Sequence, residues 1–280
     1  MDVTPGTAMT NDMQASASSV TRFVGHEAEV QGDLLPVEEP LQIRLAGEDV
    51  VVTMRTPGHD EELAAGFLFT EGIIAGKTHI ESIVHCPDDA NGGAPSPNVV
   101  NVTPTDRSLL DPARWQRNMF ASSSCGVCGK ISIEQVRMGR LYHPMQEKLS
   151  VDLETLYSLP GKIRQAQTGF EQTGGLHAAA LFTPDGHLLV LREDVGRHNA
   201  VDKVIGHALI EGLLPLDNHV LVVTSRASFE IVQKALAAGV RVMATISAPT
   251  SLAVEMAQEG GITLVAFLRD RRCNVYAGAL

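Results

Sequence analysis

The last third of the chain alternates strand-like and helix-like segments in an order that leaves few folds open. Residues 219–224 (HVLVVT), 240–246 (VRVMATI) and 262–268 (ITLVAFL) are almost continuously apolar rather than alternating, as strands buried on both faces are. Between them, residues 228–238 and 251–258 have helical periodicity, and Gly239 and Gly260-Gly261 follow as stop signals. This β-α-β-α-β order predicts a parallel sheet covered by crossover helices. Upstream, residues 178–182 and 188–191 read as an antiparallel pair across Thr183-Pro184-Asp185-Gly186, and a helix runs from near Asp194 to about Ile210.

The first hundred residues look different. Residues 39–45 (EPLQIRL) alternate and residues 50–54 (VVVTM) return after an AGED turn, which predicts a hairpin. Thr56-Pro57-Gly58 breaks the chain before residues 59–70 (HDEELAAGFLFT). An acidic first turn and the shared face of Leu63, Phe67 and Leu68 predict a helix there. Residues 86–98 predict a polar Gly/Pro loop, and 99–102 a strand. The expected organisation is a disordered tail over 1–25, a β-rich N-terminal domain over 26–118, a mobile loop over 119–130 and an α/β domain over 131–280, so α/β locally and α+β overall. The tail has neither the basic start nor the apolar centre of a secretory signal. Four cysteines without such a signal are expected to be free thiols in a reducing cytoplasm. A formal net charge of −11 argues against nucleic acid or an anionic membrane as partner. No apolar run reaches the roughly 18 residues of a membrane span.

In a parallel sheet, ligands sit beyond the C-terminal strand ends. Three such ends are legible: Thr224-Ser225-Arg226-Ala227-Ser228, Ser247-Ala248-Pro249-Thr250-Ser251 and Arg269-Asp270-Arg271-Arg272. Their hydroxyls and four arginines suit phosphate oxygens, although hydroxyls also cap helices and arginines also line solvated faces. Neither GxGxxG nor GxxxxGK[ST] occurs, so an ordinary dinucleotide or P-loop site is not expected.

Residues 123–130 (SSCGVCGK) place Cys125 and Cys128 three positions apart among glycines. A structural zinc site would need two further ligands, and no second CxxC or HxxxH supplies them. A thioredoxin-type pair belongs at a helix N-terminus after a strand. In a third reading, a thiolate accepts a sulfane sulfur, and the glycines admit donor and acceptor. The stretch alone leaves all three open. Residues 173–179 (TGGLHAA) share a His-Ala with zinc deaminases, but Ala179 stands where the proton-shuttling Glu belongs and the CxxC precedes the His. Deaminase chemistry is therefore not expected, and His177 reads as structural or pocket-lining. In residues 194–203 (DVGRHNAVDK), helical spacing would pair Asp194 with Arg197 and His198 with Asp202, as local pairing or as a pocket wall.

Seven segments in order carry a resemblance. They are RTPG (55–58) with ELAAGFL (62–68) and EGII (71–74), SSCGVCGK, TGGLHAA, EDVGRHNAVDKVIG (193–206), TSRASFE (224–230), SAPTSLA (247–253) and FLRDRRCNVY (267–276). The chain resembles the formate dehydrogenase accessory family, the FdhD sulfurtransferases, from about residue 35 to 276. The resemblance implies a C-terminal three-layer domain related to the cytidine-deaminase fold. It also implies a cytoplasmic, dimeric sulfur carrier with no metal of its own. Such a carrier takes persulfide sulfur from a cysteine desulfurase and passes it to Mo-bis(molybdopterin guanine dinucleotide), the cofactor of the formate dehydrogenase catalytic subunit. Cys125 is then the persulfide carrier, Cys128 a secondary thiol, and Phe267, Leu268, Arg269, Asp270, Arg271 and Arg272 the cofactor-binding stretch. Cys273 reads as packing. The competing classes are a cofactor chaperone that carries no sulfur and a zinc or dithiol redox protein.

Overall fold

The computed structural model describes residues 14–88, 94–107 and 149–280. Cys125 and Cys128, with the whole 119–130 loop, lie outside the described residues.

The chain opens with an antiparallel ribbon of β1 (Ala15–Val24) and β2 (Glu27–Pro36). The disordered tail expected to residue 25 is therefore corrected from Ala15 onward. Ala15, Ala17, Thr21 and Phe23 face the same side as Pro36, Leu34, Val30 and Ala28, so a segment too poor to fold alone is held by its partner's backbone. A four-stranded sheet follows in the order β4-β3-β6-β5, made of β3 (Glu39–Leu45), β4 (Glu48–Arg55), β5 (Ile80–Asp88) and β6 (Ala94–Pro104). The β3–β4 hairpin is as expected. The loop expected over 86–98 is shorter, because β5 runs to Asp88 and β6 begins at Ala94.

Leu41, Ile43 and Leu45 of β3 share one buried apolar cluster with α1 (Asp60–Thr70), which is buried on nearly every side. Two further helices, α2 (Leu153–Ala166) and α3 (Thr168–Thr173), lead into the C-terminal sheet. That sheet has the order β12-β11-β10-β9-β7-β8. Its strands are β7 (His177–Phe182), β8 (Leu188–Asp194), β9 (Val220–Val223), β10 (Val242–Thr245), β11 (Thr263–Arg269) and β12 (Arg272–Ala277). β9, β10 and β11 are parallel, whereas β7 and β12 run against their neighbours. On one face α2 packs Leu156, Leu159 and Ile163 onto Phe182, Val222 and Val265. On the other lie α4 (Arg197–Glu211), α5 (Phe229–Ala237) and α6 (Ser251–Gly260). The result is three layers, helix–sheet–helix, as the strand–helix alternation requires.

The two sheets share one apolar core that runs from Leu41 to Ala277. It is continuous because α1 and α4 cross almost backbone to backbone. A Cβ on Gly66 would lie 1.9 Å from the Asp202 carbonyl oxygen, and one on Gly206 1.8 Å from that of Glu62. Only glycine admits so close an approach. Gly206→Ala is expected to cost about 3 kcal/mol or more, because backbone rather than a flexible side chain must move. Chemical unfolding of the variant measures this, and a loss within experimental error of zero would contradict the crossing.

Candidate functional site

All three predicted strand ends lie along one edge of the C-terminal sheet. Ala227 donates its N–H to Ala248 at 3.1 Å, Thr250 donates to Ala227 at 3.0 Å, and Phe267 donates to Ser247 at 3.0 Å. The antiparallel β7 adds a fourth contributor. Ala178 donates to Thr224 Oγ1 at 2.9 Å, and His177 pairs with Asp194 at the end of β8. The edge therefore gathers His177, the start of α4, the two Ser/Thr segments and the turn between β11 and β12.

That turn differs from the open strand end that the sequence predicts. Asp270 (φ 51°) and Arg271 (φ 54°) form a two-residue hairpin loop that sends the chain back as β12. Both central residues are left-handed, the conformation this loop length needs, but a glycine usually stands at the second position. Arg271 supplies the compensation: its guanidinium bonds Glu154 at 2.6 Å and lies 5.4 Å from the Tyr157 ring, which ties the hairpin to α2. Of the six predicted cofactor-binding residues, Leu268 is fully buried core and Phe267 is half-buried beside Tyr276. Asp270 and Arg271 make the turn. Arg269 and Arg272 remain exposed, and they are directly opposite each other across β11 and β12. Like charges at opposed positions destabilise a strand pair, and an anion between them would reverse the sign.

The helix-spaced pairs predicted for residues 194–203 are not the ones that form. Asp194 bonds Lys203 at 2.8 Å, with both side chains fully buried. The same carboxylate accepts from Thr56 N (3.2 Å), Gly196 N (2.7 Å) and Asn199 Nδ2 (3.0 Å). Lys203 also donates to the Thr56 carbonyl at 2.8 Å. Asp202 bonds Lys234 at 2.8 Å and accepts from Thr70 Oγ1 at 2.8 Å. Burial pushes the Asp202 carboxyl upward. Burial works against the charge of Lys234 too, but Asp202 and Glu71 more than offset it and hold its ammonium above the ordinary range. Sequence reasoning missed a third element of this joint. Arg55, 1% exposed, grips Asp60 with two bonds of 2.9 and 3.0 Å and also donates to Pro97 O and Asn98 Oδ1. RTPG and EDVGRHN are thus the two halves of one seam between the sheets.

His177 stands at the edge with its pKa lowered, first by burial and then by the Arg197 charge. Cys273 packs beside Tyr157, and burial raises its thiol pKa, consistent with the packing role expected of it. Among the described residues, no group of three His, Cys, Asp or Glu could hold a metal ion. No helix there is long and apolar enough to cross a membrane.

A three-layer α/β protein with a basic, hydroxyl-rich strand-end edge is the class this geometry defines. The sequence profile of the FdhD/NarQ family matches residues 36–280, and the chain belongs to that family. It is 51% identical over 267 residues to a sulfur carrier protein FdhD of Mycolicibacterium paratuberculosis, covering 94% of this chain and 97% of that one. The protein of the same name from Saccharolobus solfataricus is 41% identical, with 92% and 94% covered. In structure it is similar to a candidate formate dehydrogenase accessory protein of Desulfotalea psychrophila, with a TM-score of 0.74, 25% identity and coverage of 95% and 97%.

The His177 shift gives a pH prediction. Its folded pKa lies below the ordinary 6.5, so the unfolded chain takes up the proton first and stability falls as pH drops from about 6.5 through the folded value. The imidazole resonances should titrate below 6.5 in the native protein, and part-way back toward it in Arg197→Gln. A native midpoint at or above 6.5 would refute the assignment.

Proposed function

We propose that this chain is a sulfur carrier in which Cys125 accepts a sulfane sulfur and delivers it to a metal cofactor held at the strand-end edge. The opposed Arg269 and Arg272 carry the reading. Two exposed arginines at directly opposed strand positions, with no ion-pair partner among the described residues, suit the phosphates of a nucleotide-bearing ligand. Arg271, occupied by Glu154, sets the hairpin rather than the ligand. The proposed donor is a cysteine desulfurase and the acceptor is Mo-bis(molybdopterin guanine dinucleotide), bound as substrate on its way to a formate dehydrogenase catalytic subunit. A cytoplasmic homodimer completes the proposal. The names of the relatives support the carrier role.

The chemistry needs little from the protein beyond placement. The Cys125 thiolate attacks the donor persulfide and takes its outer sulfur, releasing the donor cysteine as a thiolate. In delivery, the S–S bond breaks with its electron pair returning to Cys125. The sulfur leaves at the level of the neutral atom, so the acceptor supplies two electrons, as a redox-active metal can. Cys128 is a secondary thiol in this scheme. A glycine follows each cysteine, Gly126 and Gly129, and glycine admits close approach of a partner to the backbone.

Intact-mass measurement after incubation with desulfurase and cysteine tests the first half. The native chain should gain one sulfur on the Cys125 peptide, and Cys125→Ala should gain none and fail to mature formate dehydrogenase. Maturation by the Cys125→Ala protein would instead establish a chaperone without a sulfur-carrying role. The second half is tested by GDP binding. Arg269→Ala combined with Arg272→Ala should weaken it at least ten-fold, as two charge-assisted contacts imply. Arg271→Ala should act mainly on stability. The reverse order of effects would move the ligand away from β11 and β12.

A further inference from the structure

The β1–β2 ribbon presents one face that nothing among the described residues covers. Its register runs from Ala15–Pro36 to Val24–Glu27 without a bulge, so side chains alternate cleanly between two faces. Arg22, Glu27, Glu29 and Asp33 all lie on one of them. The other carries Ala17, Ser19, Thr21 and Phe23 against Leu34, Gly32, Val30 and Ala28, with no charged residue, and every one of these is exposed. Phe23 is 68% and Val30 71% exposed. The ribbon is fixed at its base. Val37 donates to the Gln14 carbonyl at 2.9 Å, and Pro36 packs so close to Gly175 that a Cβ there would come within 2.8 Å of it. Beyond the base, residues 21–30 are exposed without exception, on an arm about 30 Å long. A two-stranded ribbon by itself is marginal in water, and a packed apolar face is what makes one stable. A second apolar surface stands open on the same chain. Pro40, Val52, Met54, Val84 and Val99 occupy the face of the four-stranded sheet turned away from Leu41 and Ile43. Val52, Met54 and Val84 are 58%, 40% and 50% exposed, so the ribbon does not cover the sheet of its own chain.

We propose that the ribbon is an exchange arm: in a two-fold dimer, the uncharged face of each ribbon lies on the open face of the other copy's four-stranded sheet. Charge favours these two surfaces for a meeting of like copies. Each chain carries a formal net charge of −11, so two copies repel except where both surfaces are neutral. The ribbon face has no charge, and Arg44, on the open face of the sheet, is paired with Asp49 at 2.8 Å. Area decides between a second copy and an unrelated partner. A ribbon face about 30 Å long and about 10 Å wide buries about 600 Å² over both sides of one contact, the size of a crystal-packing contact. Two-fold reciprocity doubles this to about 1,200 Å², where stable interfaces begin. Sheets that pack face to face interdigitate side chains from their inner surfaces, and Phe23, Val30 and Leu34 supply them here. Residues 15–35 precede the stretch that matches the family profile, so the arm is an addition to the matched fold. The inference names the interface of the homodimer proposed above and rests on that reading.

Sedimentation equilibrium of the full chain, beside its Phe23→Asp, Val30→Asp and Val52→Asp variants, is the test. The native chain should dimerise at micromolar concentration. Each variant would bury an unpaired carboxylate in the contact and should raise the dissociation constant at least ten-fold. All three side chains are exposed on the single chain, so the far-UV circular dichroism of each variant should match that of the native protein. Phe23 lies one pair from the tip of the ribbon, which keeps its variant informative if one nearer the body fails to fold. A dimer that all three variants leave intact overturns the arm and leaves the homodimer standing. Dissociation by the ribbon variants but not by Val52→Asp would seat the arm elsewhere and overturn its pairing with the sheet. A native chain that sediments as a monomer at every concentration removes the homodimer and the arm together. Sulfur loading of Cys125, read by mass on the same preparations, tests the carrier reading independently of all these outcomes.

Discussion

The contact on which the rest depends is the crossing of α1 and α4 at Gly66 and Gly206. Two helices that approach this closely cannot slide, because each carbonyl at the crossing occupies the space a Cβ would need. Around the crossing stand two buried lysine–carboxylate pairs, Lys203–Asp194 and Lys234–Asp202. Buried ion pairs contribute little net stability, since desolvation consumes most of the attraction, but losing one partner costs about 3–5 kcal/mol. Their effect here is positional. Lys203 also holds the Thr56 carbonyl and Lys234 also holds Thr70, so each pair is satisfied in only one arrangement of the two sheets. The start of α4, and with it Arg197 and His198, is placed by that joint.

The same joint explains why several polar motifs are not catalytic. Asp194 and Asn199 belong to the stretch that could have been a pocket wall, yet they are spent on each other, on Thr56 N and on the Met54 carbonyl across the seam, while Arg55 is spent on Asp60. Glu193 is likewise occupied, accepting from the N–H groups of Gly169 and Phe170 and so closing the start of α3 at 2.8 Å each. Removing these groups from consideration leaves the edge itself: His177, Arg197, His198, Ser228 and the two opposed arginines of the hairpin.

What the sequence disclosed follows the range of the interactions involved. The parallel β9-α5-β10-α6-β11 core was legible because its signals are local: apolar runs, helix periods and glycine stops. The β3–β4 hairpin was legible for the same reason. The β1–β2 ribbon was not, because Ala15–Val24 has little apolar content and owes its order to a partner strand. The hairpin at Asp270-Arg271 was missed because no glycine marks it, and its compensation comes from Glu154 and Tyr157, more than a hundred residues upstream. His198 and Asp202 were assigned to each other by helical spacing, yet each finds its partner on α5 or its flank, at Glu230 and Lys234. Local spacing names neighbours on one helix. It carries no information about the helix packed against it.

The charge distribution bears on the ligand proposed for the edge. With a formal net charge of −11, the chain as a whole repels polyanions, and beyond a Debye length of about 8 Å that repulsion is screened. A basic cluster set in such a background attracts only an anion compact enough to lie within it, because a long polyanion must also cross the acidic surface around it. The diphosphate of the proposed ligand meets that condition. Strand register fixes the backbone positions of Arg269 and Arg272 opposite each other, and the buried seam fixes the start of α4 that carries Arg197 and His198. Backbone placement of this kind is part of the fold, so a proposed anion would have only the side chains left to order.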